Sequence, residues 1–142
     1  MFDFKFDWKE DLNIGISQID EQHKELFRII RDMEQLLITR CIGVTYQQLY
    51  DIITQVREYV SYHFYEEEKM MEEYGYSLKE QHIKRHREFQ QVIVDIDIPK
   101  LGEMPYEELK KLKDHAQDWV FEHMFNSDRH MGEEIARKKE QV

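Results

Sequence analysis

Cysteine is nearly absent. Cys41 is the only one, so no disulfide can close within the chain, and a reducing compartment is the simplest setting. Proline and glycine are scarce, 2 and 5 in 142 residues, which disfavours a turn-rich sandwich and suits long helices. No apolar run approaches the ~20 residues that span a bilayer. No basic amphipathic stretch marks a membrane surface. The opening MFDFKFDWKED lacks the basic segment, long apolar stretch and small-residue cleavage site of a signal peptide. Basic charge is also in deficit. The formal net charge is -10 with histidines neutral, which repels phosphate backbones and argues against nucleic acid as a partner. A cytoplasmic domain is the expectation.

A chain of this length makes one domain, 1–142, and a domain of this size buries roughly 68–70% of its unfolded surface without staples. Apolar residues recur at alternating three and four spacing, the pattern of a helical bundle. The spacing predicts helices over about 17–38, 45–74, 77–97 and 105–131, followed by a polar tail that forms a short or frayed helix. Thr45 with Gln48 and Ser77 with Glu80 each read as a capping box. Gly75 suits the left-handed position after a helix, and Pro105 suits a first turn. Short connections make successive helices antiparallel neighbours. The expected fold is therefore an all-α, up-down-up-down four-helix bundle. The N-terminal residues, about 1–15, alternate like a strand but have no partner, so they are expected to lie on the bundle as an extended arm anchored by Phe4, Phe6 and Trp8.

Histidine is where the composition departs from the ordinary, with 7 in the chain. The first stripe reads Ile16, Ile19, His23, Leu26, Ile30, Met33, Leu37; the second reads Leu49, Ile53, Val56, Val60, His63, Glu67, Met70, Tyr74. The third stripe is His82, His86, Phe89, Ile93, Ile96, and the fourth is Leu109, Leu112, Ala116, Trp119, His123. One histidine on an apolar stripe is usually a hydrogen-bonded core residue. Five of them, with a glutamate, are costly to bury without a common partner. A metal is such a partner. The set contains no thiolate, so iron, zinc, copper or manganese fits and an iron–sulfur cluster does not. The ligands exceed one tetrahedral site, which argues for two metals.

The run Glu66, Glu67, Glu68 sits just after His63. Spacing alone lets Glu66 or Glu67 approach that histidine. The stripe separates them: Glu67 continues it, Glu66 flanks it, and Glu68 is expected to face solvent. His115 reads as a surface residue, Asp20 as electrostatic support for the first helix, and Cys41 as a loop residue.

The stretches IDEQHKEL with His23, HFYEE with His63 and Glu67, HIKRH with His82 and His86, and HMFNSD with His123 and Asp128 together resemble the hemerythrin family. The resemblance covers nearly the whole chain, including Trp8 and Trp119. It implies two irons in an oxo- or hydroxo-bridged centre. His82, His86 and His123 would bind one iron, His23 and His63 the other, with Glu67 and Asp128 bridging beside a solvent-derived oxygen. The two-histidine iron would keep an open position for end-on dioxygen, lined by Leu26, Phe64, Trp119 and Met124. Periodicity by itself disagrees at one point. Five residues turn a helix by about 140°, so His130 aligns with His123 better than Asp128 does. Choosing Asp128 requires a π-bulge or a break between them.

The function implied is reversible binding of dioxygen for storage, delivery or sensing, with a possible electron-transfer or oxygen-using protein partner. The chain ends just after the bundle, so sensing would need a separate output partner. The rival is a di-iron enzyme, of the peroxidase, oxidase or ferroxidase type. Ferritin-type bundles use Glu-x-x-His pairs, and none of the 7 histidines here has Glu three residues before it.

Overall fold

A computed structural model describes residues 8–140. Phe4 and Phe6, two of the expected arm anchors, lie outside the described residues. After a 3-10 turn at Glu10–Leu12 come α1 (Ser17–Ile38), α2 (Tyr46–Tyr74), α3 (Lys79–Val94), α4 (Ile98–Glu103), α5 (Pro105–Glu122), a π-helical turn (His123–Asp128) and α6 (Arg129–Glu140). No strand occurs among the described residues, and none of their helices is long and apolar enough to cross a membrane. α2 packs on both α1 and α3, and α5 packs on α1. With α6 continuing α5 through the π-helical turn, these make the four rods of a bundle.

The ends of the helices follow local chemistry. Thr45 accepts from the Gln48 N–H at 3.1 Å while the Gln48 side chain accepts from the Thr45 N–H at 2.8 Å, a reciprocal cap. Gly75 closes α2 with φ of 60°. The second expected box does not form. Ser77 gives both its N–H and its hydroxyl to the carboxylate of Glu134, at 2.8 and 2.5 Å. A long-range acceptor on α6 outcompetes Glu80, and α3 starts at Lys79 with no side-chain cap. α3 also stops at Val94, short of the expected 97, because Asp97 caps a further short helix through the Lys100 N–H at 3.0 Å. The described part of the tail is helical, as α6 runs to Glu140. Met131, Glu134 and Ile135 are buried along it.

On α1, α2 and the α5–α6 rod the buried polar residues separate two apolar regions. The larger cluster holds Leu26, Phe64, Phe89 and Met124. The smaller holds Ile19, Met71, Met131 and Ile135. His23 lies between Ile19 and Leu26, Glu67 between Phe64 and Met71, and Asp128 between Met124 and Met131. The polar side chains thus form a layer across the bundle. The α2 stripe leaves this layer through Met71, fully buried, whereas the expected Met70 is only partly covered.

The described residues preceding α1 are anchored at both apolar regions. Trp8 stands edge-on to Phe27 with centroids 5.2 Å apart. Ile14 and Ile16 join the smaller cluster. Asp20 holds this segment, its carboxylate accepting from the N–H groups of Ile14 at 2.7 Å and Gly15 at 3.3 Å. α6 touches the segment so closely that a Cβ on Gly132 would stand 2.7 Å from the Ile14 carbonyl oxygen. Gly132→Ala therefore tests this contact. Helix propensity favours alanine by about 1 kcal/mol, but the forced displacement of backbone costs more. The expected net loss is about 1–2 kcal/mol, read as a lower denaturant midpoint; an unchanged or higher midpoint contradicts the packing.

Candidate metal centre

Five imidazoles and two carboxylates converge in the polar layer. His23, His63, Glu67, His82, His86, His123 and Asp128 are all at most 3% exposed. α1 contributes His23, α2 contributes His63 and Glu67, and α3 contributes His82 and His86. The π-helical turn begins at His123 and ends at Asp128. Its wider winding supplies the rotation that an α-helix withholds at five-residue spacing, so Asp128 faces the same interior as His123. His130 turns elsewhere. It is exposed, and its Nδ1 lies 2.7 Å from the Tyr76 hydroxyl.

The two carboxylates divide their oxygens between two groups of histidines. Glu67 Oε1 is 3.2 Å from His82 Nε2 and 3.0 Å from His86 Nε2. Glu67 Oε2 is 2.9 Å from His63 Nε2 and 3.5 Å from His23 Nε2. Asp128 Oδ1 is 3.0 Å from both His82 Nε2 and His123 Nε2, while Oδ2 is 3.0 Å from His23 Nε2. One side therefore collects three imidazoles, the other two, and each carboxylate serves both.

These contacts fit metal ions better than hydrogen bonds. His82 Nε2 and His123 Nε2 stand 3.1 Å apart while both also face Asp128 Oδ1. Neutral rings cannot satisfy that triangle without opposing lone pairs or opposing protons. Both Asp128 oxygens, Glu67 Oε2 and His23 Nε2 are buried with no hydrogen-bond partner. Ligands at right angles on bonds of ~2.1 Å would stand ~3.0 Å apart, which is the spacing seen here. Two groups able to hold an ion are present, Glu67 with His82, His86, His123 and Asp128, and His23 with His63, Glu67 and Asp128.

The residues named from sequence for a ligand pocket also fall beside this layer. Leu26, Phe64 and Met124 are buried in the larger apolar cluster, with Trp119 packed against it. Phe64 stacks on His86 at 3.8 Å, and Trp119 stacks on His123 at 4.3 Å. Both rings therefore brace the three-histidine group. His115 is exposed and lies parallel to Phe89 at 6.2 Å. Cys41 is buried away from the centre among apolar residues, and burial pushes its thiol up.

Two supporting residues escape the sequence reading. The His63 ring nitrogen Nδ1 lies 2.7 Å from Gln22 Oε1. Glu68, expected in solvent, instead lies 2.9 Å from His86 Nδ1 through its Oε2. Arg87 grips it with a fork, Nη1 to Oε2 at 3.0 Å and Nη2 to Oε1 at 2.6 Å. Glu66 and Glu68 flank Glu67 on opposite sides of α2, and α3 packs on the Glu68 side. Nothing in the charge run distinguishes the flanks. The available signal is indirect: a metal-ligating imidazole needs an acceptor for its second nitrogen.

Opposing effects set the protonation of the layer. Burial pulls His23 down, but the close carboxylates of Asp128 and Glu67 win and raise it to about 9. The same contest raises His82 to about 10. His123 is lowered, because burial outweighs the attraction of Asp128. Burial also opposes ionisation of Glu67, yet the charge of His63 and the close rings of His23, His63 and His82 hold it well below the usual carboxylate range. Asp128, opposed by burial and by Glu67, is likewise held well below its range by His123 and His23. Imidazolium protons thus compensate the buried carboxylates where a metal would do so.

Comparison with known proteins identifies the family. The family model described as "Hemerythrin HHE cation binding domain" matches residues 14–135. The bacteriohemerythrin of Pseudomonas paraeruginosa (strain DSM 24068 / PA7) is 31% identical, over 93% of this chain and 87% of its own length. That of Clostridium acetobutylicum is 29% identical, over 87% of this chain and 96% of its own. The myohemerythrin of Theromyzon tessulatum is 25% identical, over 87% and 88% respectively.

The pH dependence of the metal-free protein follows from these directions. Raised histidines add stability in full below their ordinary value of 6.5, and lose it as pH climbs through about 9 to about 10. Lowered carboxylates add stability above their ordinary values of 4.5 and 3.8, and lose it as pH falls further. Denaturant unfolding of chelator-treated protein should give greatest stability between 4.5 and 6.5, with a marked alkaline decline that metal loading reduces. A flat profile between pH 6.5 and about 10 contradicts the proton-compensated layer.

Proposed function

The chain belongs to the hemerythrin family, and on that premise we propose that its buried layer serves reversible dioxygen binding, for storage, delivery or sensing. It is a di-iron, dioxygen-binding protein and not an enzyme. We assign His82, His86 and His123 to one iron, His23 and His63 to the other, and Glu67 and Asp128 to the bridge. The observation that carries this reading is the division of each carboxylate between the two histidine groups. A carboxylate serving a single ion would not need both oxygens aimed at imidazoles on opposite sides.

When bound, the iron pair supplies the reversible redox chemistry that holds dioxygen. The chain's own side chains determine where that chemistry is possible. Three imidazoles with one oxygen from each carboxylate would hold one iron. On the other side only two imidazoles would join the two carboxylates, one protein ligand fewer, which would leave room for an external ligand. Leu26, Phe64, Trp119 and Met124 belong to the apolar region adjoining the layer. We assign them the role of keeping bulk water from that position, since exclusion of competing reactants is the protein's share of such chemistry. Gln22 fixes the ring of His63 through its Nδ1 at 2.7 Å, which holds Nε2 toward Glu67.

The acidic balance of the chain, -10, supports a role without nucleic acid, and the single Cys41 supports a cytoplasmic setting. An electron donor that restores the ferrous state, or an oxygen-using protein, is the partner class this reading calls for.

Anaerobic reconstitution with ferrous iron tests the proposal. Two irons per chain should bind, and air should raise a visible charge-transfer band that deoxygenation removes. Irreversible oxidation with release or turnover of peroxide would contradict reversible binding and favour a di-iron enzyme.

A further inference from the structure

All five histidines of the layer direct Nε2 to the carboxylates, so they differ at the opposite ring nitrogen. Nδ1 of His23, His82 and His123 has no hydrogen-bond partner among the described residues. His63 meets a neutral amide, Gln22. Only His86 meets an anion, Glu68, at 2.9 Å. The anion is held in one orientation, because the Arg87 guanidinium occupies both of its oxygens at 3.0 and 2.6 Å, and a fork of this kind fixes a carboxylate in direction as well as in place. Glu68 is 17% exposed at its side chain and Arg87 54%. The carboxylate is therefore shielded where it faces the histidine, and its counter-charge sits outside.

A carboxylate accepting the outer N–H of an imidazole makes the ring a stronger donor through its other nitrogen. An amide accepts less strongly than an ion. The two sides of the layer thus receive unequal electron density, with the excess on the three-histidine side. That is the side away from the open position proposed above. We propose that Glu68 is a positioning and tuning residue, which by its charge on His86 favours the oxidised state of the three-histidine iron and so strengthens dioxygen binding, with Arg87 limiting the effect. The inference rests on the di-iron, reversible-binding reading. It concerns how strongly the centre gives electrons to the ligand, whereas the seven ligands determine whether it forms.

Opposite counter-charges give the proposal opposite signs to test. Glu68→Gln keeps the size and an acceptor oxygen but removes the charge. Arg87→Gln keeps Glu68 and removes the guanidinium. Both variants and the unaltered protein are loaded with ferrous iron, counted for iron, and compared by redox titration and dioxygen binding. Glu68→Gln should keep two irons, show a higher midpoint potential and bind dioxygen about tenfold more weakly. Arg87→Gln should shift both properties the other way, by less, because its charge is half in solvent. Shifts in the same direction, no shift, or loss of iron from Glu68→Gln would make the residue a structural prop and overturn the tuning role. Failure of the unaltered protein to hold two irons or to release dioxygen would instead overturn the functional reading on which the inference rests.

Discussion

Two buried carboxylates hold this structure to its purpose. Glu67 and Asp128 are each 1% exposed or less; Glu67 turns one oxygen to His82 and His86 and the other to His63 and His23, while Asp128 turns one to His82 and His123 and the other to His23. A lone carboxylate in such a place would neutralise itself or destabilise the fold. Five rings from four rods prevent that, and in doing so they determine how the rods must face. The need to bring Asp128 to the centre accounts for the π-helical turn. Without that turn the helix would present His130 in place of Asp128.

The polar layer divides the hydrophobic core, and the fold makes up for it on both sides. The larger cluster runs from Leu26 and Phe64 toward the α1–α2 connection. The smaller one, from Ile19 to Ile135, depends on contributions from outside the four main rods: Ile14 and Ile16 from the segment before α1, Tyr76 from the α2–α3 connection. Glu134 ties α6 to that same connection through Ser77. Removing one partner of a buried charged pair costs about 3–5 kcal/mol, so the layer is a large liability for a protein folding without metal. The adjoining carboxylates favour protonated His23 and His82, which would offset part of that cost in the metal-free chain.

Much of this was legible in the sequence because helix periodicity and metal chemistry point to the same residues. His23, His63, Glu67, His82, His86 and His123 sit on the apolar stripes, and all six are buried together. Asp128 was not legible from periodicity, since a straight helix puts it about 140° away from His123; only the family resemblance selected it. Met71 replaced Met70 because the stripe of α2 drifts as it leaves the layer. Glu68 was missed for a different reason. Its flank of α2 is charged like the opposite flank, and which one faces α3 depends on the packing of the rods rather than on any local pattern. Ser77 likewise reads locally as a cap and is claimed by Glu134, 57 residues away.

In the proposed centre both carboxylates bridge two ions, one with three histidines and one with two. Anomalous X-ray diffraction at the iron edge, on crystals of the iron-loaded protein, measures this directly. Two iron peaks per chain are expected, with His82, His86 and His123 on one, His23 and His63 on the other, and one oxygen of Glu67 and of Asp128 on each. A single peak, or an unbroken helix that turns Asp128 away and offers His130 in its place, would contradict it.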